Sequence, residues 1–133
     1  MSRGPALAEF LHARLDDTTR WAHDVLSWIL TEQGQAAIDH ARTAGGLSLV
    51  TVADDLLLLA AERRRVVRRY EEAERRSAAA RRHCPIPGDP HAPPHTDGED
   101  PDRLELRGLE WTCRQLAAAY RAHPDYREHD WAP

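Results

Sequence analysis

The densest chemistry in the chain is cationic. Between Glu62 and Arg82 there are nine Arg and four Glu, a local charge of +5. At about 100° per residue on a helical wheel, Arg64, Arg68, Arg75 and Arg82 gather on one flank. A stripe of guanidinium groups is the chemistry that tracks phosphates. Against that reading, Arg68–Glu72, Glu71–Arg75 and Glu72–Arg76 are i,i+4 pairs, which describe a solvated, self-neutralising face. No aromatic side chains interleave with the flank, as a single-strand binder requires, and no helix-turn-helix signature is evident. The solvated face is the plainer expectation. Contact with nucleic acid or another anion is the alternative.

The His and Cys residues form the next set. His91 and His95 have the H-x3-H spacing of zinc sites, Cys84 precedes them by seven positions, and Cys113 could supply a fourth ligand. No C-x2-C accompanies them, and Cys113 sits within an apolar stripe, where a buried, inert thiol is the default. The expectation is therefore no bound metal and no cofactor, with a zinc-stabilised module as a third-ranked reading. Catalytic motifs are missing: there is no phosphate-cradling Gly loop, no G-x-S-x-G and no H-E-x-x-H. Asp54 and Asp55 are adjacent and point about 100° apart on a helix, so they are not a paired acid and base. His123 and Asp125 flank Pro124 in a turn, with no nucleophile beside them. The chain is expected not to be an enzyme.

Tyr126 and Trp131 are the last chemical feature. They place two large apolar bodies with polar handles within the final eight residues. Two readings are open. They clamp the tail onto the helices, against the stripe holding Trp21, Val25 and Trp28, or they project as aromatic anchors for a partner. The clamp is the expectation.

Four regions must position these residues. Over 5–30, Leu7, Phe10, Leu11, Leu15, Trp21, Ala22, Val25, Leu26, Trp28 and Ile29 fall within about 160° of arc, which predicts an amphipathic helix. Arg14 interrupts this stripe and is expected to lay its stem on the core and reach outward. Gly34 weakens the next segment, leaving a short helix over 35–42, and Ala44-Gly45-Gly46 is a stop. A long Arg-rich helix is predicted over 52–82, opened by a Thr51/Asp54 cap. Val52, Leu56, Leu59, Val66, Val67, Tyr70 and Ala73 form its stripe, and Leu57 and Leu58 widen it near the start. Proline density makes 83–100 an acidic loop that could lie across the basic flank. A last helix over 101–122 begins with Asp100 and Pro101 and turns Leu106, Leu109, Cys113, Leu116, Ala117 and Tyr120 to one side. Residues 123–133 are the ordered tail. The fold class is all-α: a single domain, 1–133, built as a small antiparallel bundle of three main helices.

Composition sets the outer bounds. A chain of 133 residues with 41% hydrophobic and 30% charged residues is long enough for one core. The longest apolar run, Leu56 to Ala61, is far short of a membrane span. Two cysteines and no secretion signal point to reduced thiols in a cytoplasm. The net charge of −4 does not suggest nucleic acid for the chain as a whole, although all 18 basic residues are Arg and none is Lys.

Two stretches carry a resemblance. Leu7-Ala8-Glu9-Phe10-Leu11-His12-Ala13-Arg14-Leu15-Asp16-Asp17 resembles the opening of a family of small uncharacterised proteins from actinobacteria and their phages. That family ends in a Leu/Ala-rich helix, a Tyr, then His-Pro-Asp-Tyr-Arg and an acidic-Trp-x-Pro close. This chain has Leu116 to Tyr120, His123-Pro124-Asp125-Tyr126-Arg127 and Asp130-Trp131-Ala132-Pro133. Glu110-Trp111-Thr112-Cys113 is similar to the family's Trp-Pro-Cys. The middle departs, lacking the His-x-x-x-His-Asp-Pro and Cys-x-x-Cys of other members. The resemblance implies a phage or mobile-element accessory role and carries over no functional residue. The combined expectation is a small cytoplasmic binding protein, monomer or homodimer, with an unknown protein partner. Arg64, Arg68, Arg75, Arg82, Tyr126 and Trp131 are its candidate contact residues.

Overall fold

The computed structural model describes residues 5–43, 48–82 and 100–133. The elements are α1 (Leu7–Ile29), α2 (Glu32–Thr43), α3 (Leu49–Arg82), α4 (Pro101–Ala118) and the single turn α5 (Glu128–Trp131). The class is all-α: 84% of the described residues are helical, with no strand among them. None of these helices is long and apolar enough to cross a membrane. The chain forms two compact units, one of residues 9–65 and one of residues 1–8 with 66–133, and α3 supplies residues to both.

In the 9–65 unit, Phe10, Leu11, Leu15, Ala22 and Ile29 of α1 are buried, with Ile38 of α2 and Ala53 and Ala60 of α3. The apolar arc expected for α1 narrows along the helix. Ala22 and Ile29 stay at its centre, whereas Trp21 and Trp28 lie at its rim and are 48% and 40% exposed. Arg14 does not reach outward as expected. Its side chain is only 13% exposed and pairs with Asp17 at 3.1 Å. Its guanidinium lies 5.5 Å from the Phe10 ring centroid. Nε and Nη1 find no acceptor among the described residues, an arrangement that costs desolvation without a compensating bond.

The second helix is longer than 35–42, and Gly34 is the reason it can form where it does. Thr31 caps α2, its Oγ1 accepting from the Gly34 N–H at 3.1 Å while donating to the Trp28 carbonyl at 2.5 Å. Gln35 Nε2 donates to the Ile29 carbonyl at 2.7 Å. A Cβ at Gly34 would collide with the Trp28 carbonyl oxygen and lie 2.7 Å from the Ile29 Cα. The residue that weakens the helix by propensity is thus the one that lets its first turn press against the end of α1.

The α3 helix starts at Leu49, so Thr51 and Asp54 lie inside it and cap nothing. Its buried seam also differs from the expected Leu stripe. Ala53, Ala60 and Val67 recur every seven residues and are nearly inaccessible, whereas Leu58 and Leu59 are exposed. Small residues on the seam allow close helix approach, and the leucines lie well off it by rotation.

In the other unit, Val67, Tyr70 and Ala73 of α3 are buried with Cys113 and Ala117 of α4, Trp131 of α5 and Leu7 and Ala8. Asp100 caps α4 by accepting from the Asp102 N–H at 3.0 Å, with Pro101 at its first position. The helix ends at Ala118, short of 122. Tyr120, Arg121 and His123 bond back three residues, to Ala117, Ala118 and Tyr120, which tightens the chain into turns ahead of Pro124.

The two helical glycines give opposed predictions. Gly34→Ala should lower stability by about 1–3 kcal/mol through forced overpacking. Gly108→Ala in α4, where an added Cβ meets nothing within 4 Å, should raise it by about 0.5–1 kcal/mol through helix propensity. Urea unfolding midpoints at constant m-value measure both.

Candidate functional site

The four flank arginines have different fates. Arg64 is drawn into the 9–65 unit, where Nη2 meets Asp16 Oδ1 at 2.5 Å and donates to Thr19 Oγ1 at 3.2 Å. Arg68 and Arg75 are exposed with no carboxylate partner among the described residues. Arg82 is exposed too, its Nε donating to the Ala78 carbonyl at 3.4 Å. Residues 68, 75 and 82 recur at i,i+7, so successive guanidinium groups sit about 10.5 Å apart along the helix.

The expected i,i+4 neutralisation of this face does not occur: Arg68 and Arg75 pair with neither Glu72 nor Glu71. Besides Arg64, the neutralised cations are Arg69 and Arg76, the latter not by Glu72 as expected. Both reach α4, where Arg69 Nη2 meets Glu105 Oε1 at 3.0 Å and Arg76 Nη2 meets Glu105 Oε2 at 3.2 Å. Asp102 stands 3.9 Å from Arg76 Nη1. Hydrogen bonding from Arg69, then from Arg76, holds the Glu105 carboxyl below the usual carboxylate range. The signal was present, since α4 carries acidic residues at 102 and 105, but an inter-helix pair requires knowing that α3 and α4 pack together.

Acidic groups border the stripe. Glu71, Glu74 and Arg75, with Ala78, line an open hollow of about 430 Å³. Tyr70, buried beneath, donates to Glu74 Oε1 at 2.7 Å. Burial, this bond and the nearby carboxylates push the phenol above its ordinary range. The same acids act on Cys113: burial first, then Glu74, Glu71 and Glu110, push its thiol up to about 12. Held protonated in this way, the thiol is a poor nucleophile. Cys84, His91 and His95, the other members of the expected zinc set, lie outside the described residues, as does the acidic loop expected to cover the flank. Among the described residues no cluster of His, Cys, Asp and Glu could hold a metal ion.

The tail is folded, with Trp131 5% exposed. The Tyr126 and Trp131 rings meet edge-on with centroids 5.9 Å apart, and the Arg127 guanidinium lies 5.7 Å from the Trp131 ring centroid while bonding Asp130 at 3.3 Å. The Tyr126 hydroxyl and then Glu128 favour the charge on Arg121. His123 and Asp125 are turn-formers: His123 Nδ1 accepts the Asp125 N–H at 3.1 Å. Trp131 therefore serves the core of its own unit, and Tyr126 packs on it.

Residues 4–133 match the model of a protein family described as a family of unknown function (DUF6221). No curated protein and no solved structure matches the chain.

Because the Glu105 carboxyl sits below its unfolded value, the stability it supplies is present above the ordinary Glu range near 4.5. That stability is lost as pH falls through the lowered value. Glu105→Gln should therefore lower the thermal midpoint at neutral pH, and the gap to the parent protein should close in acid. Trp131→Ala should cost about 3 kcal/mol in urea unfolding, from lost burial and the cavity left behind.

Proposed function

Since the chain belongs to the DUF6221 family of unknown function, we propose a function from its own side chains: a non-enzymatic binding protein whose α3 stripe docks an acidic surface of a protein partner. One observation carries this reading. Arg68, Arg75 and Arg82 are exposed, in register and without a carboxylate partner among the described residues, whereas Arg64, Arg69 and Arg76 pair with Asp16 and Glu105. Guanidinium groups held at fixed spacing suit bidentate pairing with carboxylates.

A protein partner is favoured over nucleic acid by the carboxylates of Glu71, Glu72 and Glu74, interleaved with the stripe. A polyphosphate backbone would be repelled by them, while a protein surface of mixed charge can answer both signs. The net charge of −4 points the same way. A cytoplasmic setting, and an accessory role in a phage or mobile element of a high-GC actinobacterium, complete the reading. The exclusively Arg basic composition supports the high-GC source, and the accessory role rests on the resemblance of the two ends of the chain.

The test is a pull-down from an actinobacterial lysate with the full chain, with and without nuclease. A protein partner retained after nuclease, released by salt, and lost on combined Arg68→Glu, Arg75→Glu and Arg82→Glu substitution is the expected result. A catch abolished by nuclease would assign the stripe to nucleic acid instead. A catch indifferent to the three substitutions would remove the stripe from function.

A further inference from the structure

Two arginines of α3 are diverted to α4, and the row they leave behind is regular. Arg69 and Arg76 bond Glu105, so Glu72, an i,i+4 neighbour of Arg76, is exposed without a cation among the described residues. On the helical wheel Arg68, Glu72, Arg75, Ala79 and Arg82 fall within about 80° of arc. They advance by alternating steps of four and three residues, the spacing of a coiled-coil seam. This seam is charged and turned to solvent, except at Ala79, which is half-buried. It slips round the helix by about 20° per heptad, the drift that a second helix follows by crossing at a shallow angle.

We propose that the occupant of this row is an acidic α-helix presenting a carboxylate at every seventh residue, an inference that rests on the acidic-partner reading above. Charge complementarity selects acids: Arg68 and Arg75 meet no carboxylate among the described residues, and Arg82 reaches only the Ala78 carbonyl. Spacing selects a helix. The three guanidinium groups stand about 10.5 Å apart over about 21 Å. A β-strand repeats its same-face side chains every ~6.8 Å, so it can oppose the outer two and misses the middle one. Residues seven apart on an α-helix have the same ~10.5 Å repeat and oppose all three. Glu72 adds a sign to the pattern. It lies between Arg68 and Arg75, so the complementary residue at that level is a base. A helix of mixed charge meets that demand, and a uniform polyanion does not. Ala79 offers only a methyl group between Arg75 and Arg82, which lets the partner helix lie close there.

Fluorescence anisotropy of labelled peptides titrated with the full chain tests this. Two alanine-rich helical peptides of about 20 residues carry the same three Glu, spaced seven apart in one and five apart in the other, which scatters them round the helix. The seven-spaced peptide is expected to bind, with affinity falling as salt rises. The five-spaced peptide should bind on the order of tenfold more weakly, the difference that a few exposed charge pairs supply together. Arg75→Glu should release the seven-spaced peptide. Changing that peptide's central Glu to Arg should restore binding to the Arg75→Glu chain, whichever way the helix runs. Position 75 is exposed, so unchanged helical circular dichroism should accompany the loss. No binding of either peptide at low salt, equal binding of both, or no rescue by the charge exchange would overturn the helical occupant. Loss of the lysate partner on substitution of Arg68, Arg75 and Arg82 would then still hold for an acidic surface of another shape, so the two readings fail separately.

Discussion

One helix has to satisfy two cores. The 34 residues of α3 extend about 51 Å at 1.5 Å per residue, far more than a single small core can cover. The seam it buries changes character along that length. Ala53 and Ala60 serve the 9–65 unit, where a methyl group lets a neighbour approach closely. Val67, Tyr70 and Ala73 serve the other unit, where larger side chains fill space around Cys113, Ala117 and Trp131. Everything else on α3 must face water or a polar partner, which explains why it carries so much charge.

That constraint sorts the arginines. Arg64, Arg69 and Arg76 reach an acid on another helix, through Asp16 and Glu105. Glu105 joins two arginines seven residues apart with its two oxygens, which fixes α4 along α3 more firmly than a single exposed pair would, since isolated surface pairs contribute little. Arg68, Arg75 and Arg82 meet no carboxylate among the described residues. Selectivity among chemically identical residues thus comes from where along the helix a packed neighbour offers an acid, since Arg64 shares its flank with Arg68, Arg75 and Arg82 yet meets Asp16.

The sequence was legible where periodicity acts alone. The amphipathic α1, the Asp100-Pro101 opening of α4 and the all-α class follow from local patterns that tertiary packing did not alter. It was illegible where packing overrides propensity. Gly34 scores as a helix breaker, yet close approach to Trp28 and Ile29 requires it. The leucines at 56–59 outweigh Ala53 and Ala60 on any hydrophobicity count, yet the small residues define the seam. The i,i+4 pairs on α3 were plausible in an isolated helix, but the competing acceptor on α4 is visible only after folding.

The division of the chain into a contiguous unit and a split one bears on the order of events during synthesis. Residues 9–65 form one uninterrupted stretch, so their core can close as soon as that stretch is available. The other unit gathers Leu7 and Ala8 with residues as distant as Trp131, and contacts of such sequence separation form slowly because loop closure must come first. The back half of α3 therefore emerges with its apolar seam and its nearby guanidinium groups uncovered, until α4 arrives to supply Cys113, Ala117 and the carboxylate of Glu105. Over that interval the nascent chain exposes a basic amphipathic segment, and the acid on α4 acts as a late-arriving counterion that completes the assembly.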